Sequence, residues 1–143
     1  MKFENYMTLE FPSKSSNEAF ARAAVACFAA QLDPTVEELG DIRTAVSEAV
    51  TNAIVHAYPN ELGIVTVRCR ILKGQVLDIV VKDRGVGIAD IEQAMRPMYT
   101  TGGSDRSGMG FTIMESFMSN LEISSEPGKG TTVHMRRKLL RRK

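Results

Sequence analysis

The chain has 143 residues, 43% hydrophobic and 24% charged, which suits one globular domain that needs neither disulfide nor metal support. Its net charge of +1 conceals an asymmetry: six of the 18 basic residues fall in the last eight positions, so the body through Met135 holds 12 basic against 17 acidic residues, a net of −5. That balance argues against direct nucleic-acid binding, which places its basic patch on the folded body, and with no apolar run near the roughly 20 residues that cross a bilayer and no signal-peptide core in MKFENYMTLEF, the expectation is a cytoplasmic protein without membrane contact.

Residues 6–11 alternate apolar and polar and predict a strand, ended by Pro12 and Ser13. Residues 16–32 are alanine-rich, with Phe20, Ala24, Cys27, Phe28 and Gln31 at helical spacing; Ser15 or Ser16 is placed to cap this helix and Asp33-Pro34 to end it. A second helix over 35–58 opens on Thr35 and Glu38, a capping-box pattern, and carries the apolar stripe Leu39, Ile42, Val46, Ala49, Val50, Ala53, Ile54 and Ala57. Beyond a turn at Pro59, Asn60 and Gly63, residues 64–72 and 75–82 predict two strands joined at Lys73-Gly74. A short helix over 89–95, a polar glycine-containing stretch over 96–107 expected to be mobile, and a helix over 108–118 follow. Strands over 121–125 and 131–138 flank a turn at 126–130. This order predicts an α+β two-layer sandwich: a mostly antiparallel sheet with helices on one face. It forms a single domain over 1–143, with a basic, solvated tail from about 136 to 143. Cys27 and Cys69 form no CxxC pair and read as buried free thiols, and His56 and His134 are too few and too separated for a metal cluster.

Four short motifs interrupt this pattern. Glu48, Asn52 and His56 are spaced by four and stack along one face of the second helix. A carboxylate there suits a general base and an amide oxygen suits a hard cation, although an ordinary solvated helix face has the same spacing. Asp83-Arg84-Gly85-Val86-Gly87-Ile88 follows a strand; its glycines allow close backbone approach and its aspartate can accept from an exocyclic amine, while a plain strand-to-helix turn is the alternative. Arg106-Ser107-Gly108-Met109-Gly110-Phe111 leads into a helix, where free amides favour anions; a glycine-rich loop without ligand also fits. Gly128-Lys129-Gly130-Thr131-Thr132-Val133 reads by itself as a hairpin turn entering a strand. Neither a GxGxxG opening a helix in a βαβ unit nor a GxxxxGK[ST] occurs, so dinucleotide-type and P-loop sites are set aside.

In this order and spacing, over residues 48–133, the four motifs resemble the GHKL (Bergerat-type) ATP-binding superfamily of gyrase, the heat-shock chaperone, mismatch-repair ATPases and sensor histidine kinases. SEAVTNAIVHAY (47–58), DRGVGI (83–88) and RSGMGFTIMESFM (106–118), with the opening strand and helix and LDPT (32–35), are more closely similar to the sporulation anti-sigma F kinases over nearly the whole chain. That resemblance implies binding of ATP or ADP with Mg²⁺. Glu48 would be the base that takes a proton from a protein serine, and Arg106 would neutralise charge near the transferred phosphoryl group. Asn52 would hold Mg²⁺, Asp83 would read the adenine amino group, and Gly87 would leave room for the base. Thr100, Thr101, Ser107, Gly108 and Gly110 would contact phosphates, and Thr132 would support the adenine side. His56 would serve in packing or beside the phosphates. The family's lid has a lysine and more acidic or proline residues where this chain has Gly102-Gly103-Ser104-Asp105, which implies a shorter, more mobile lid.

The implied partners are a second copy in a homodimer, the sigma factor F it restrains, and an anti-anti-sigma protein that carries the acceptor serine; Arg22 on the first helix is the candidate partner contact, with a solvated charge as the alternative. Two alternatives remain. A detached histidine-kinase-type catalytic domain would need a histidine-bearing dimerisation helix pair, for which no residues remain. An ATP-dependent module, whether a hydrolysing machine or a binding protein without transfer, would keep the nucleotide site and lose the acceptor.

Overall fold

A computed structural model describes residues 3–59, 61–88 and 110–140. Burial alternates along its strands with period two. In β1 (Phe3–Pro12), Phe11 is buried and Met7 and Leu9 pack against the core; β2 (Ile64–Leu72) buries Val65, Val67, Cys69 and Ile71; β3 (Val76–Asp83) buries Leu77, Ile79, Val81 and Asp83. After α3 (Gly110–Phe117), β4 (Asn120–Glu126) contributes Leu121 and Ile123, and β5 (Gly130–Lys138) contributes Val133 and Met135. The strands form one antiparallel sheet in the order β1-β2-β3-β5-β4. Its apolar face is covered by α1 (Asn17–Ala29), α2 (Val36–Val55) and α3, which join those strand residues in a single core through Ala21, Val25 and Phe28, Ile42, Val46 and Val50, and Phe111 and Met114. The expected two-layer α+β sandwich is the fold observed. No helix among the described residues is long and apolar enough to cross a membrane.

The helix boundaries follow local chemistry. Asp33 adopts a left-handed conformation (φ 51°) after a 3-10 turn at Ala30–Leu32, and Pro34 follows it, so the first helical run stops there. At the start of α2 the Glu38 amide donates to the Thr35 hydroxyl at 2.9 Å and the Thr35 amide donates to Glu38 Oε1 at 2.8 Å, the reciprocal capping box. Glu38 Oε2 accepts a further bond, from the Leu140 amide at 2.9 Å.

Four expectations change. The buried stripe of α1 is Ala21, Val25, Phe28 and Ala29, displaced from the Phe20–Ala24–Cys27 frame, and it leaves Phe20 53% exposed. Cys27 is exposed for the same reason, whereas Cys69 is buried and its thiol is pushed up to about 12 by burial and then by the nearby Asp78 charge. Ser16 precedes α1 in helical geometry and its side chain makes no cap bond, because a cap needs extended backbone there. Residues 136–140 are not a solvated tail: Arg136 pairs with Asp78, Arg137 with Asp41 at 2.9 Å, and Leu139 enters the core.

The opposite sheet face is polar, with one fully buried carboxylate. Asp78 stands in register between Arg70 of β2 and Arg136 of β5. Arg70 donates through Nε at 3.1 Å and Nη2 at 3.0 Å to Oδ2; Arg136 Nε, at 2.7 Å, and His134 Nε2, at 2.5 Å, meet Oδ1. Burial alone would raise this carboxyl, but the bonds from Arg136, His134 and Arg70 together outweigh it and hold Asp78 below its ordinary value. An ionised carboxylate only accepts, so His134 donates from Nε2.

Candidate functional site

Glu48 and Asn52 lie one turn apart on α2, both half-buried, and face the first residue of α3. A Cβ on Gly110 would lie 3.2 Å from Asn52 Nδ2, 3.3 Å from Glu48 Oε2 and 3.5 Å from Asn52 Oδ1. Glycine therefore lets the α3 N-terminus approach a carboxylate and an amide closely, and the burial of Phe111 and Met114 fixes α3 in that position. His56 ends α2, its backbone N–H donating to the Asn52 carbonyl at 3.0 Å.

The second half of the site is the loop after β3. Asp83, only 7% exposed, accepts at Oδ1 from the Gly85 amide at 2.9 Å and the Thr131 amide at 3.2 Å. Burial pushes its carboxyl above the ordinary value and these two amides oppose the shift without cancelling it. The loop is clamped on both sides. The Val86 amide donates to Ala57 O just beyond α2 (2.9 Å), and Val86 O accepts from the Gly128 amide in the β4–β5 turn (2.7 Å). Gly87 has φ +77° and packs directly against the Glu126 carbonyl, so no other residue fits there without strain. Tyr58 ties the loop base, accepting from the Arg84 amide at 2.7 Å and donating to Ile64 O at 2.8 Å.

Ser125 completes this wall. It accepts from the Ile88 amide at 2.7 Å, donates to Gly130 O at 3.0 Å, and lies 2.8 Å from the Thr131 hydroxyl. With its own proton on Gly130 O, Ser125 must receive the Thr131 proton.

Among the site residues expected from sequence, Glu48, Asn52 and Gly110 come together, and Asp83 and Gly87 share the clamped loop. Thr100, Thr101, Arg106, Ser107 and Gly108, and the short helix expected over 89–95, lie outside the described residues. Thr132 pairs with Lys82 and Ser124, on the Asp78 face of the sheet, so its side chain is not brought to Asp83. The neighbouring Thr131 reaches Asp83 through its amide instead. Strand parity carried that signal: Val133 and Met135 are the apolar positions of β5, and Thr131 shares their face. Ser125 and Tyr58 had no comparable signature.

The donor set tests what the site can hold. Among the described residues no group of three or more His, Cys, Asp and Glu side chains gathers for a metal. Glu48 and Asn52 offer oxygen atoms of the kind Mg²⁺ prefers, and that ion normally takes one or two protein ligands and completes its shell with phosphate oxygens and water. The residues fit Mg²⁺ held jointly with a phosphate-bearing ligand.

Residues 11–137 match the family model described as the histidine kinase-like ATPase domain. An anti-sigma F factor of Caldanaerobacter subterraneus subsp. tengcongensis is 58% identical over 136 residues, 94% of each chain, and one of Clostridium acetobutylicum is 55% identical over the same shares. Among solved structures, the RsbU and RsbW domains of a Mycobacterium tuberculosis protein superpose with a TM-score of 0.69 at 19% identity, covering 95% of this chain and 32% of that one. The histidine kinase domain of an Erythrobacter litoralis blue-light activated histidine kinase gives 0.59 at 22% identity, over 85% and 60%. These two likenesses speak to the fold.

Proposed function

The chain belongs to the anti-sigma F factors within the histidine kinase-like ATPase family, and on that premise we propose that it is an ATP-dependent protein-serine kinase that restrains sigma factor F. The observation that carries the kinase reading is the meeting of Glu48, Asn52 and the side-chain-free Gly110 at the N-terminus of α3. A base, a cation-binding oxygen and a helix N-terminus beside them are parts that phosphoryl transfer can use, since its catalysis is chiefly positioning and charge stabilisation.

In this mechanism Glu48 takes the proton from the acceptor serine as its oxygen attacks the γ-phosphorus of ATP. The bond to the β-phosphate oxygen breaks and ADP leaves. Asn52 would hold Mg²⁺, which would offset charge on the phosphates. Asp83 accepts from the adenine amino group while the Gly85 and Thr131 amides fix its orientation, and the Gly87 loop borders the base. Arg106, Thr100, Thr101, Ser107 and Gly108 supply phosphate contacts, with Arg106 countering charge on the transferred group. Thr131 and Ser125 take the supporting role on the adenine side, and Thr132 contributes only strand backbone.

The acceptor is a serine of an anti-anti-sigma protein, and the working unit is a cytoplasmic homodimer that grips sigma factor F. For nucleotide to govern the choice between partners, one partner must bind the ATP state better than the ADP state.

Incubation with labelled ATP, Mg²⁺ and an anti-anti-sigma protein tests the reading, with dimer mass measured alongside. Label should enter the protein and vanish when the acceptor serine is alanine. Glu48→Gln should lower transfer at least about 100-fold and leave nucleotide affinity within a few-fold. Normal transfer by Glu48→Gln removes the base assignment, and label appearing on histidine favours a histidine-kinase-type domain.

A further inference from the structure

Glu48 also closes one end of a shallow groove of about 340 Å³, lined by Arg22, Gly40, Arg43, Thr44, Ser47 and Glu48. Gly40, Thr44 and Glu48 are four apart and make one ridge of α2; Arg43 and Ser47 make the next; Arg22 of α1 is the opposite wall. A side chain on Gly40 would meet nothing within 4 Å, so this end is open. Thr44 turns its hydroxyl back onto Gly40 O at 2.9 Å.

The groove is therefore polar at its ends. Arg22 stands 3.7 Å from Glu18. Arg43 is exposed and its guanidinium makes no hydrogen bond or ion pair among the described residues. Glu48 lies five positions after Arg43, roughly 7.5 Å along the helix axis and about 140° around it, a span of about three residues of extended chain.

From this spacing we propose that the groove seats the acceptor segment of the protein substrate, and that Arg43 pairs with an acidic side chain lying within about three residues of the acceptor serine. The inference deepens the kinase reading and rests on it. An extended segment lying along the Gly40–Thr44–Glu48 ridge brings its hydroxyl to Glu48 while its carboxylate meets the guanidinium, a planar fork matched to that group. Arg43 thus sets specificity and takes no part in the chemical step.

The test uses the full chain with Mg²⁺-ATP and the anti-anti-sigma protein. Arg43→Glu should raise KM for the acceptor about tenfold while kcat and the Kd for ATP stay within twofold; Arg43→Lys should fall between. An acceptor whose acidic residues near the serine are changed to lysine should show the same loss with the unmodified chain and recover with Arg43→Glu. An unchanged KM, a loss that the charge-swapped acceptor does not repair, or an equal fall in ATP affinity overturns the assignment. So does a variant that loses sigma capture and keeps its acceptor KM, since the groove then serves the other partner. An unmodified chain that transfers nothing overturns the kinase reading and this one with it; transfer unaffected by Arg43→Glu overturns this one alone.

Discussion

Gly110→Ala would place a methyl group 3.2 Å from the Asn52 amide and 3.3 Å from the Glu48 carboxylate, so both must move by a few tenths of an ångström. The helix itself loses nothing, since alanine is the better helix former. The expected outcome is an unchanged or higher Tm with kcat for transfer lower by about tenfold, and a larger loss in Gly110→Val, read by thermal melting beside steady-state kinetics. Asp83 separates function from stability in another way. Its folded pKa is raised by burial, so the ionised group costs stability at neutral pH. That cost disappears as pH falls from the folded value toward the unfolded one. Asparagine removes it at every pH and keeps Oδ1 for the Gly85 and Thr131 amides, but on the proposed reading it would turn a donor toward the adenine amino group. Asp83→Asn should match or exceed the parent Tm at pH 7 and bind ATP at least about tenfold more weakly by calorimetry. At this scale the sequence was legible wherever residue type and spacing coincide, as at Glu48 and Asn52. Adjacent Thr131 and Thr132 look alike in the sequence, and only the parity of the strand shows which one lies on the face of Asp83.

Glu38 does more than cap α2. It accepts from Thr35 within the capping box and from Leu140 beyond β5, and it is buried while doing so. Thr35→Ala should cost about 1 kcal/mol, the usual worth of a cap. Glu38→Ala should cost about 2 kcal/mol, because it strands two amides rather than one. Urea unfolding of the two variants measures the difference. Thr35 and Glu38 announce the helix start at fixed spacing, so α2 was readable, whereas the partnership with Leu140 joins residues far apart in the chain and left no trace. The face of α1 was not readable either. Seven of the residues from 19 to 30 are alanine, so neighbouring frames are nearly equal in hydrophobicity, and packing against the sheet selected the one that leaves Phe20 and Cys27 outside.

Asp78 binds three strands at once, with Arg70 on one side and His134 and Arg136 on the other. Its folded pKa is depressed, so the stability it contributes is present above the unfolded carboxylate value and is lost as pH falls through the folded one. Asp78→Ala should cost about 3 kcal/mol near neutrality, because three cationic or donor groups lose their shared acceptor, and should flatten the decline of the urea midpoint between pH 7 and pH 3. Nothing in the sequence pattern singled out Asp78; its burial comes from arginines on neighbouring strands, a property of the assembled sheet. The strand order bears on biosynthesis too. Among the described residues β4 pairs with β5 alone, and β5 lies between it and β3. A ribosome releasing this chain vectorially delivers β4 before the strand that joins it to the rest, so the nascent chain must wait for its closing segment before the loop after β3 gains its second clamp.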